Sequence, residues 1–314
     1  MAKTAVKPAG RRKRGAQTKM TLALFSMMLP GLIYLIINNY IPMAGLVIAF
    51  KRFNYGKGIW GSDWAGLSNF TYLFKTQDAK NIIRNTIGYN LTFILLGNVL
   101  AVAVAVMLNF MRGTLNKKIY QTVILVPYLI SMVVVSYIVF GFLSQENGFL
   151  NKILVAMGKD PVSWYTTSKY WPFILVFVNL WKGFGYSSIL YYATVIGIDS
   201  SLYEAATVDG ANRWKQVWHV TLPGLRGTII TMVLLSIGRM FYSDFGLFYQ
   251  IPMNSGTLYS VTRTIDVYVY NALMKSSDFG MSSAASVYQS VVGFIMIIGA
   301  NALIRKFSKE NALF

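Results

Sequence analysis

Four long segments of this chain contain no Asp, Glu, Lys, Arg or His, so a folded chain must place them away from water. They are residues 20–50, 85–111, 119–145 and 279–304. A membrane-spanning helix needs about 20 mostly apolar residues, and every one of these segments is longer. Soluble domains are about 25% charged, whereas this chain of 314 residues is only 13% charged. The segments therefore predict an all-α integral membrane protein.

Two further apolar segments are interrupted by charged residues. Residues 171–198 surround Lys182, and residues 227–248 surround Arg239 and Asp244. Counting them gives six transmembrane helices. In the first segment we expect the helix to end near Tyr40, because a proline disfavours helical conformation in the residue before it.

The distribution of basic residues predicts the orientation. Residues 1–19 hold seven Lys and Arg and no acid, which predicts a basic cytoplasmic tail. Residues 20–314 would form the six-helix transmembrane domain, with both termini cytoplasmic. A basic tail next to a span is also attracted to anionic lipid. This attraction explains the basic run at residues 11–14 better than a nucleic-acid partner does. The first apolar segment is about twice as long as a signal-peptide core, so we expect a retained helix.

The sequence contains few residues that could carry out catalysis or bind a metal. It has no cysteine and a single histidine, His219, and its eleven acidic residues are scattered. We therefore predict no catalytic residue, no metal site and no cofactor in this chain, which argues against a membrane enzyme. A secondary transporter or channel that is not driven by ATP stays open as an alternative, although the two halves show no convincing repeat.

One polar segment, residues 199–225, has the pattern of a short helix, a turn and a second helix. Ser201 and Glu204 have the spacing of a capping box, which predicts the helix start. Gly210 can supply the left-handed residue that ends this helix. A second helical piece would follow from Ala211, and Pro223 would interrupt it before the fifth span.

This segment resembles the EAA loop of permease subunits in binding-protein-dependent ABC importers (type I, maltose-permease-like). The matching residues are Glu204-Ala205-Ala206, Asp209-Gly210-Ala211 and Thr221-Leu222-Pro223, and the departures at Val217 and Val220 stay apolar. Further similarity points to the subgroup associated with lipo-oligosaccharides and polyuronide fragments such as those of alginate or pectin. It is carried by residues 42–51 with 58–61, Trp181-Lys182-Gly183, residues 241–246, Thr264-Ile265-Asp266 and Tyr268-Val269-Tyr270.

The resemblance implies a role for this loop, which lies between the fourth and fifth spans. In the family, the loop forms a cytoplasmic coupling helix that fits a groove on an ATP-binding subunit. The residues placed at that contact are Glu204, Ala205, Ala206, Asp209, Gly210 and Ala211. We interpret His219 as an ordinary interface residue.

The resemblance also implies partners in a bacterial cytoplasmic (inner) membrane. The chain has no G-x-x-x-x-G-K-[ST] phosphate-binding loop. ATP and Mg²⁺ would therefore bind two separate ATPase subunits. The family works as a pair of permeases, so we expect a second homologous permease, a heterodimer, and an extracytoplasmic solute-binding protein.

Charged residues at membrane depth usually face the helix bundle or a wet cavity. Lys182 and Arg239 could both approach the midplane and attract an acidic oligosaccharide, with Tyr186, Tyr242 and Tyr249 stacking on its rings. Asp244 is nearer the outer edge. Arg239 and Asp244 lie about 140° apart around a helix, so pairing them would require local unwinding, for which Gly246 is a candidate. The alternative is that each charge holds helices together or contacts the partner chain.

Overall fold

The computed structural model describes residues 11–307, and almost all of them are helical. Five helical runs are long and apolar enough to cross a membrane, and a sixth span is obtained if one sharply bent pair of helices is counted as one. This agrees with the predicted class. Residues 1–10 of the predicted tail lie outside the described residues. Residues 11–19 of the tail form the beginning of the first helix.

The first span continues past the expected end near Tyr40. Helix α1 (Arg11–Leu35) passes into a π turn (Ile36–Tyr40), then α2 (Ile41–Met43) and a 3₁₀ turn (Ala44–Phe50). Ile41, which precedes Pro42, keeps helical angles and donates its N–H to the Ile36 carbonyl, five residues back. The wider turn accommodates the proline ring, so the predicted helix end is wrong.

A small hairpin follows the first span. Strand β1 (Lys51–Arg52) pairs antiparallel with β2 (Asp63–Trp64), and α3 (Gly58–Gly61) lies between them. Lys51 is buried, and its Nζ donates to the carbonyls of Ile59 (3.0 Å) and Trp60 (2.8 Å). We call the end of the molecule that carries this hairpin the hairpin end, and the opposite end, which carries residues 199–225, the loop end.

The second span is longer than expected. A 3₁₀ turn (Ser68–Phe70) and α4 (Thr71–Lys75) lead into α5 (Gln77–Phe110). This helix begins eight residues before the expected start at 85, because Thr76 caps it by accepting a hydrogen bond from the Ala79 N–H (3.2 Å). It packs along the fourth span for much of its length.

The third span is broken into two helices. α6 (Thr114–Leu129) and α7 (Met132–Leu143) meet at 91°, so the span predicted over residues 119–145 is a sharply bent pair of helices and not one continuous helix. Ile130 is extended, and Ser131 starts α7 by accepting from the Val134 N–H (3.3 Å). An N-cap residue placed directly after an extended residue starts a new helix in a new direction.

The fourth span matches its prediction closely. After α8 (Phe149–Ala156) and a 3₁₀ turn (Ser168–Tyr170), α9 (Trp171–Val195) begins with Pro172 in its first turn, where a missing N–H costs nothing. It ends a few residues before the expected 198. α10 (Ser200–Val208) follows at the loop end.

The fifth span differs from its prediction at both ends. α11 (Arg213–Gln216), a π turn (Val217–Thr221) and α12 (Leu222–Gly238) form one continuous helical run. Pro223 therefore does not interrupt the helix, since the N–H of Leu222 again donates five residues back, to Val217. The run stops at Gly238, and residues 239–244 are not helical.

The last part of the chain returns to the hairpin end and crosses once more. α13 (Phe245–Gln250), a 3₁₀ turn (Gly256–Leu258), α14 (Tyr259–Thr262) and α15 (Ile265–Ser276) precede α16 (Phe279–Phe307). The start of α16 agrees with the predicted sixth span. Phe279 contacts Phe53 of the hairpin (ring centroids 5.2 Å apart).

The buried core is divided along the membrane normal. One apolar cluster joins α5, α7, α9 and α13 on the hairpin side of the two breaks, and includes Val135, Trp171 and Phe248. Another joins α5, α9 and α12 nearer the loop end, and includes Ala105, Tyr191 and Leu225. The two parts of the predicted fifth span, α12 and α13, thus contribute to separate parts of the core, whereas α6 of the broken third span has no buried residue.

Candidate functional site: a coupling loop and a polar cleft

The loop helix α10 begins at an aspartate. Asp199 accepts a hydrogen bond from the Ser201 N–H (2.9 Å), so the predicted capping box at Ser201 and Glu204 is wrong. The hydrogen bonds from the Ser201 backbone and side chain hold the pKa of Asp199 below its ordinary value. Because the folded pKa is lowered, the cap acts above the unfolded pKa of about 4 and is lost as pH falls through the folded value.

The same helix ends where the sequence predicts. Gly210 is left-handed (φ 75°). The Ala211 N–H donates to the Ala206 carbonyl (2.8 Å) and the Gly210 N–H donates to that of Thr207 (3.0 Å). These two bonds define a Schellman motif, which fixes the direction in which the chain leaves α10.

The two arms of the loop are braced against each other. Asn212 caps the second arm by accepting from the Lys215 N–H (2.9 Å). Across the loop, Gln216 Nε2 donates to Thr207 Oγ1 (2.9 Å), and the hydroxyls of Tyr203 and Thr221 are 3.0 Å apart. The loop is therefore a preformed rigid unit.

Most of the predicted coupling residues face outward. Glu204, Ala205, Asp209 and Gly210 are exposed, whereas Ala206 and Ala211 are half-buried. Large apolar side chains surround them on the surface: Leu202, Val208, Trp214 and Trp218, of which Val208 is 88% exposed. An exposed apolar patch with polar residues among it is typical of a protein–protein contact. His219 is exposed beside this patch, with Nδ1 2.9 Å from the Lys215 carbonyl.

A cleft of about 520 Å³ lies between α5, α9 and α12. Asparagines, serines and tyrosines supply most of its polar surface. The polar lining residues are Asn90, Asn98, Asn179, Ser187, Tyr191, Ser236, Arg239, Tyr242, Ser243 and Asp244. Phe93 and Phe184 supply aromatic surface. Hydroxyl and amide groups together with aromatic faces suit a polyhydroxylated ligand.

The non-helical residues 239–244 form one wall of this cleft. Their backbone groups are bonded by side chains from other helices: Asn90 Nδ2 donates to the carbonyls of Met240 (2.8 Å) and Tyr242 (3.0 Å). Gln289 Nε2 donates to the Phe241 carbonyl (2.7 Å). Irregular backbone at membrane depth requires such partners.

This segment places three of the predicted path residues on the cleft, namely Arg239, Tyr242 and Asp244. Tyr242 Oη is 3.0 Å from Ser290 Oγ, and Asp244 caps α13 by accepting from the Leu247 N–H (3.0 Å). Arg239 is exposed. Within the described part of the chain its guanidinium has no ion-pair or hydrogen-bond partner.

Lys182 lies on another face of α9, at the break in the third span. Its Nζ donates to the carbonyls of Pro127 (3.3 Å), Tyr128 (2.8 Å) and Ile130 (2.6 Å). These are the carbonyls at the end of α6, where the helix dipole favours a cation. The geometry favours the alternative in which Lys182 holds helices together.

The two remaining tyrosines also lie outside the cleft lining. Tyr186 stacks on Tyr128, with ring centroids 4.7 Å apart and planes 12° apart. Tyr249 packs between Phe245 (4.8 Å) and Tyr270 (5.0 Å). The structure therefore separates the six predicted path residues into a cleft group and a helix-packing group.

Comparison with known proteins identifies the family. Residues 80–309 match the sequence profile of the "binding-protein-dependent transport system inner membrane component". The chain belongs to this family. The predicted family is thereby confirmed, and we refer to the chain below as the permease.

Relatives and solved structures agree with this assignment. Protein LplB and the polygalacturonan/rhamnogalacturonan transport system permease protein YteP, both of Bacillus subtilis (strain 168), are each 33% identical to the permease over 288 residues. The alignments cover 92% of the permease and 90% and 89% of those proteins. A bacterial ABC transporter involved in the import of the acidic polysaccharide alginate has a chain of similar structure, with a TM-score of 0.85. The two chains are 29% identical, and the match covers 94% of the permease and 99% of that chain.

Sequence reasoning missed the uncharged residues that shape the cleft wall. Asn90 and Gln289 lie within apolar helices and were overlooked because only charged residues were treated as unusual there. Asp266 was noted only within a motif, yet it accepts hydrogen bonds from Ser243. An amide inside a span is also costly unless it is bonded, and this signal would have selected Asn90 and Gln289.

Proposed function

We propose that the permease is the transmembrane subunit of an ATP-driven oligosaccharide importer and that its substrate is an acidic oligosaccharide of the polyuronide type. The observation that carries the substrate class is Arg239, an exposed cation on a polar cleft without an anionic partner in the described part of the chain. A charged side chain at such depth is costly. A carboxylate-bearing ligand would offset that cost.

The relatives support the same class. YteP carries polygalacturonan/rhamnogalacturonan in its name, and the related structures concern alginate, one of them in complex with an alginate pentasaccharide-bound periplasmic protein. Polygalacturonan and alginate are built from acidic sugars, and rhamnogalacturonan contains them. A related periplasmic component in that complex also supports an extracytoplasmic solute-binding protein as a partner of the permease.

ATP would be hydrolysed on two partner subunits, with Mg²⁺ bound there. The rigid loop with its exposed apolar rim supports the contact, because a preformed helix transmits a displacement without deforming. Closure of the ATPases would move α10 and open the cleft alternately to the two sides. The basic residues near α10 and in the N-terminal tail support a cytoplasmic position of both in the inner membrane.

A second permease chain would complete the path. The apolar part of the first span has none of its residues buried within this chain, and the cleft is bounded by only three helices. Lipid covers such a surface in part. A homologous partner facing the cleft would enclose a path wide enough for an oligosaccharide.

The substrate class is tested with Arg239→Gln in the complete transporter reconstituted into liposomes. Uptake of a galacturonate trisaccharide is compared with that of its carboxyl-reduced, neutral form. We expect the KM for the acidic sugar to rise roughly 10- to 100-fold, the range for one charge-assisted hydrogen bond, and the KM for the neutral sugar to change little.

Arg226→Gln is the matched control, because Arg226 lies on the same helix, α12, but outside the cleft lining. Equal losses for both sugars with Arg239→Gln would contradict the acidic substrate. Uptake that persists after ATP depletion, without an associated ATPase, would favour the secondary transporter or channel instead.

A further inference from the structure

The break at residues 239–244 is held from the side by a carboxylate on a different helix. Asp266, in the first turn of α15, accepts through Oδ2 from the Ser243 N–H (2.6 Å) and from the Ser243 hydroxyl (2.7 Å). The Ser243 hydroxyl also lies 2.7 Å from Thr264 Oγ1. Ser243 is therefore fixed at both its backbone and its side chain.

The same carboxylate is tied to the sixth span. Gln289, which is 3% exposed, places Nε2 3.3 Å from Asp266 Oδ1 and also donates to the Phe241 carbonyl. Asp266 and Gln289 thus bond the segment at Phe241 and Ser243, on either side of Tyr242. Asn90 bonds it from α5.

The position of this network decides where the cleft residues point. Arg239 and Tyr242 lie in or directly before the bonded stretch, and both line the cleft. Two backbone turn bonds hold the start of the segment, from the Met240 N–H to the Ile237 carbonyl (3.1 Å) and from the Tyr242 N–H to the Arg239 carbonyl (2.9 Å), but no regular ladder continues through it. The external partners must therefore define the rest of the segment, and among them Asp266 is the only carboxylate that the described residues supply.

We propose that Asp266 is a positioning residue of the translocation path: by binding Ser243 it holds residues 239–244 in the conformation that presents Arg239 and Tyr242 to the cleft. This inference rests on the proposed function, since it takes the cleft as the substrate path. Asp266 itself does not line the cleft. It acts on substrate only through the segment.

The first test measures the segment without any substrate. The natural chain contains no cysteine, so Tyr242→Cys gives a single reporter inside the segment. Ser236→Cys gives a second reporter on the same cleft, on α12 before the break. Each is combined with Asp266→Asn in the purified transporter and labelled with a methanethiosulfonate reagent. We expect the labelling rate at position 242 to change roughly fivefold, as for loss of one ordinary hydrogen bond, and that at position 236 to stay the same.

Asp278→Asn is the matched control. Asp278 is an aspartate at the start of the neighbouring helix α16, where it accepts from the Met281 N–H (2.9 Å), but it has no bond to the segment. This variant should change neither labelling rate. If Asp266→Asn changes both reporters equally, or neither, the proposal is overturned. If that variant does not assemble, Ser243→Ala removes the hydroxyl contacts to Asp266 and Thr264 but keeps the bond from the residue 243 N–H to the carboxylate. The same pattern of labelling is then expected, with a smaller change at position 242.

The second test measures transport. With Asp266→Asn we expect the KM for the galacturonate trisaccharide to rise roughly fivefold while kcat stays within about twofold, since a misplaced binding residue weakens binding without removing the coupling loop. A fall in kcat at constant KM would contradict a positioning role. If Arg239→Gln affects acidic and neutral sugars equally, only the proposed substrate class is refuted. The role of Asp266 is tested separately, because the labelling result does not depend on any sugar.

Discussion

At the scale of single residues, Lys182 and Arg239 have the same position in the sequence pattern but different surroundings. Each lies in an otherwise apolar span, and counting residues places both near the midplane. Lys182 has three carbonyl partners at the end of α6, whereas Arg239 faces the cleft. Periodicity within one helix cannot reveal this difference, because the partners of Lys182 come from a helix 52 to 55 residues away.

This difference predicts that mutation of Lys182 lowers stability, whereas mutation of Arg239 weakens transport of the acidic sugar. Lys182→Met removes the donor to the carbonyls of Tyr128 and Ile130 at the α6–α7 break, whereas the Pro127 carbonyl keeps the Ile130 N–H. Leaving such a polar group unsatisfied costs about 1–3 kcal/mol. We expect a lower midpoint of thermal unfolding for the purified transporter, measured in detergent, and equal losses of acidic and neutral sugar uptake.

Tyr186→Phe serves as its control, since it keeps the ring that stacks on Tyr128. It should leave the unfolding midpoint unchanged. A Lys182→Met protein of normal stability that loses only acidic sugar uptake would return Lys182 to the substrate path.

At the scale of elements, three prolines have two outcomes. Pro42 and Pro223 each follow a π turn by two residues, and the helix continues through both. Pro127 lies in the last turn of α6, where the helix does end. A proline removes one N–H and crowds the carbonyl four residues back. A preceding π turn relieves this crowding, so the sequence predicts a perturbation but the packing around it selects a bulge or a break.

The end of the loop helix α10 depends on one left-handed residue, Gly210. Gly210→Ala would place a Cβ on a residue with φ 75°, at a cost of about 1–2 kcal/mol. The Schellman turn would be weakened and the direction of the second arm altered. We expect fewer ATPase subunits to co-purify with the permease and less sugar to be transported per ATP hydrolysed.

Gly197→Ala is the control at the other end of α10. Gly197 is not left-handed, and a Cβ there would meet its nearest neighbour, the Thr194 carbonyl, at 3.4 Å. This variant should couple normally. Normal coupling by Gly210→Ala as well would show that the turn geometry is not required for the contact.

At the scale of the whole molecule, the alternation of spans places the hairpin and the coupling loop at opposite ends. Lys57 lies in the hairpin region and Lys215 in the loop, and both are exposed. In the cysteine-free chain, Lys57→Cys should react with a membrane-impermeant maleimide in spheroplasts, whereas Lys215→Cys should react only after permeabilisation. Labelling of Lys215→Cys in intact spheroplasts would reverse the proposed orientation.

The sequence alone determined the class of the protein, the approximate spans and the family. Long charge-free segments can satisfy their backbone only as helices in lipid, and the loop motif from Glu204 to Pro223 is local, so both are visible without coordinates. The breaks at residues 130–131 and 239–244 were decided by the tertiary structure. Each break leaves backbone groups that only distant side chains can bond: Lys182 at the first, and Asn90, Asp266 and Gln289 at the second. Which of the two cations within the spans faces the cleft depends on the same long-range pairing, and so it could be seen only once the helices were packed.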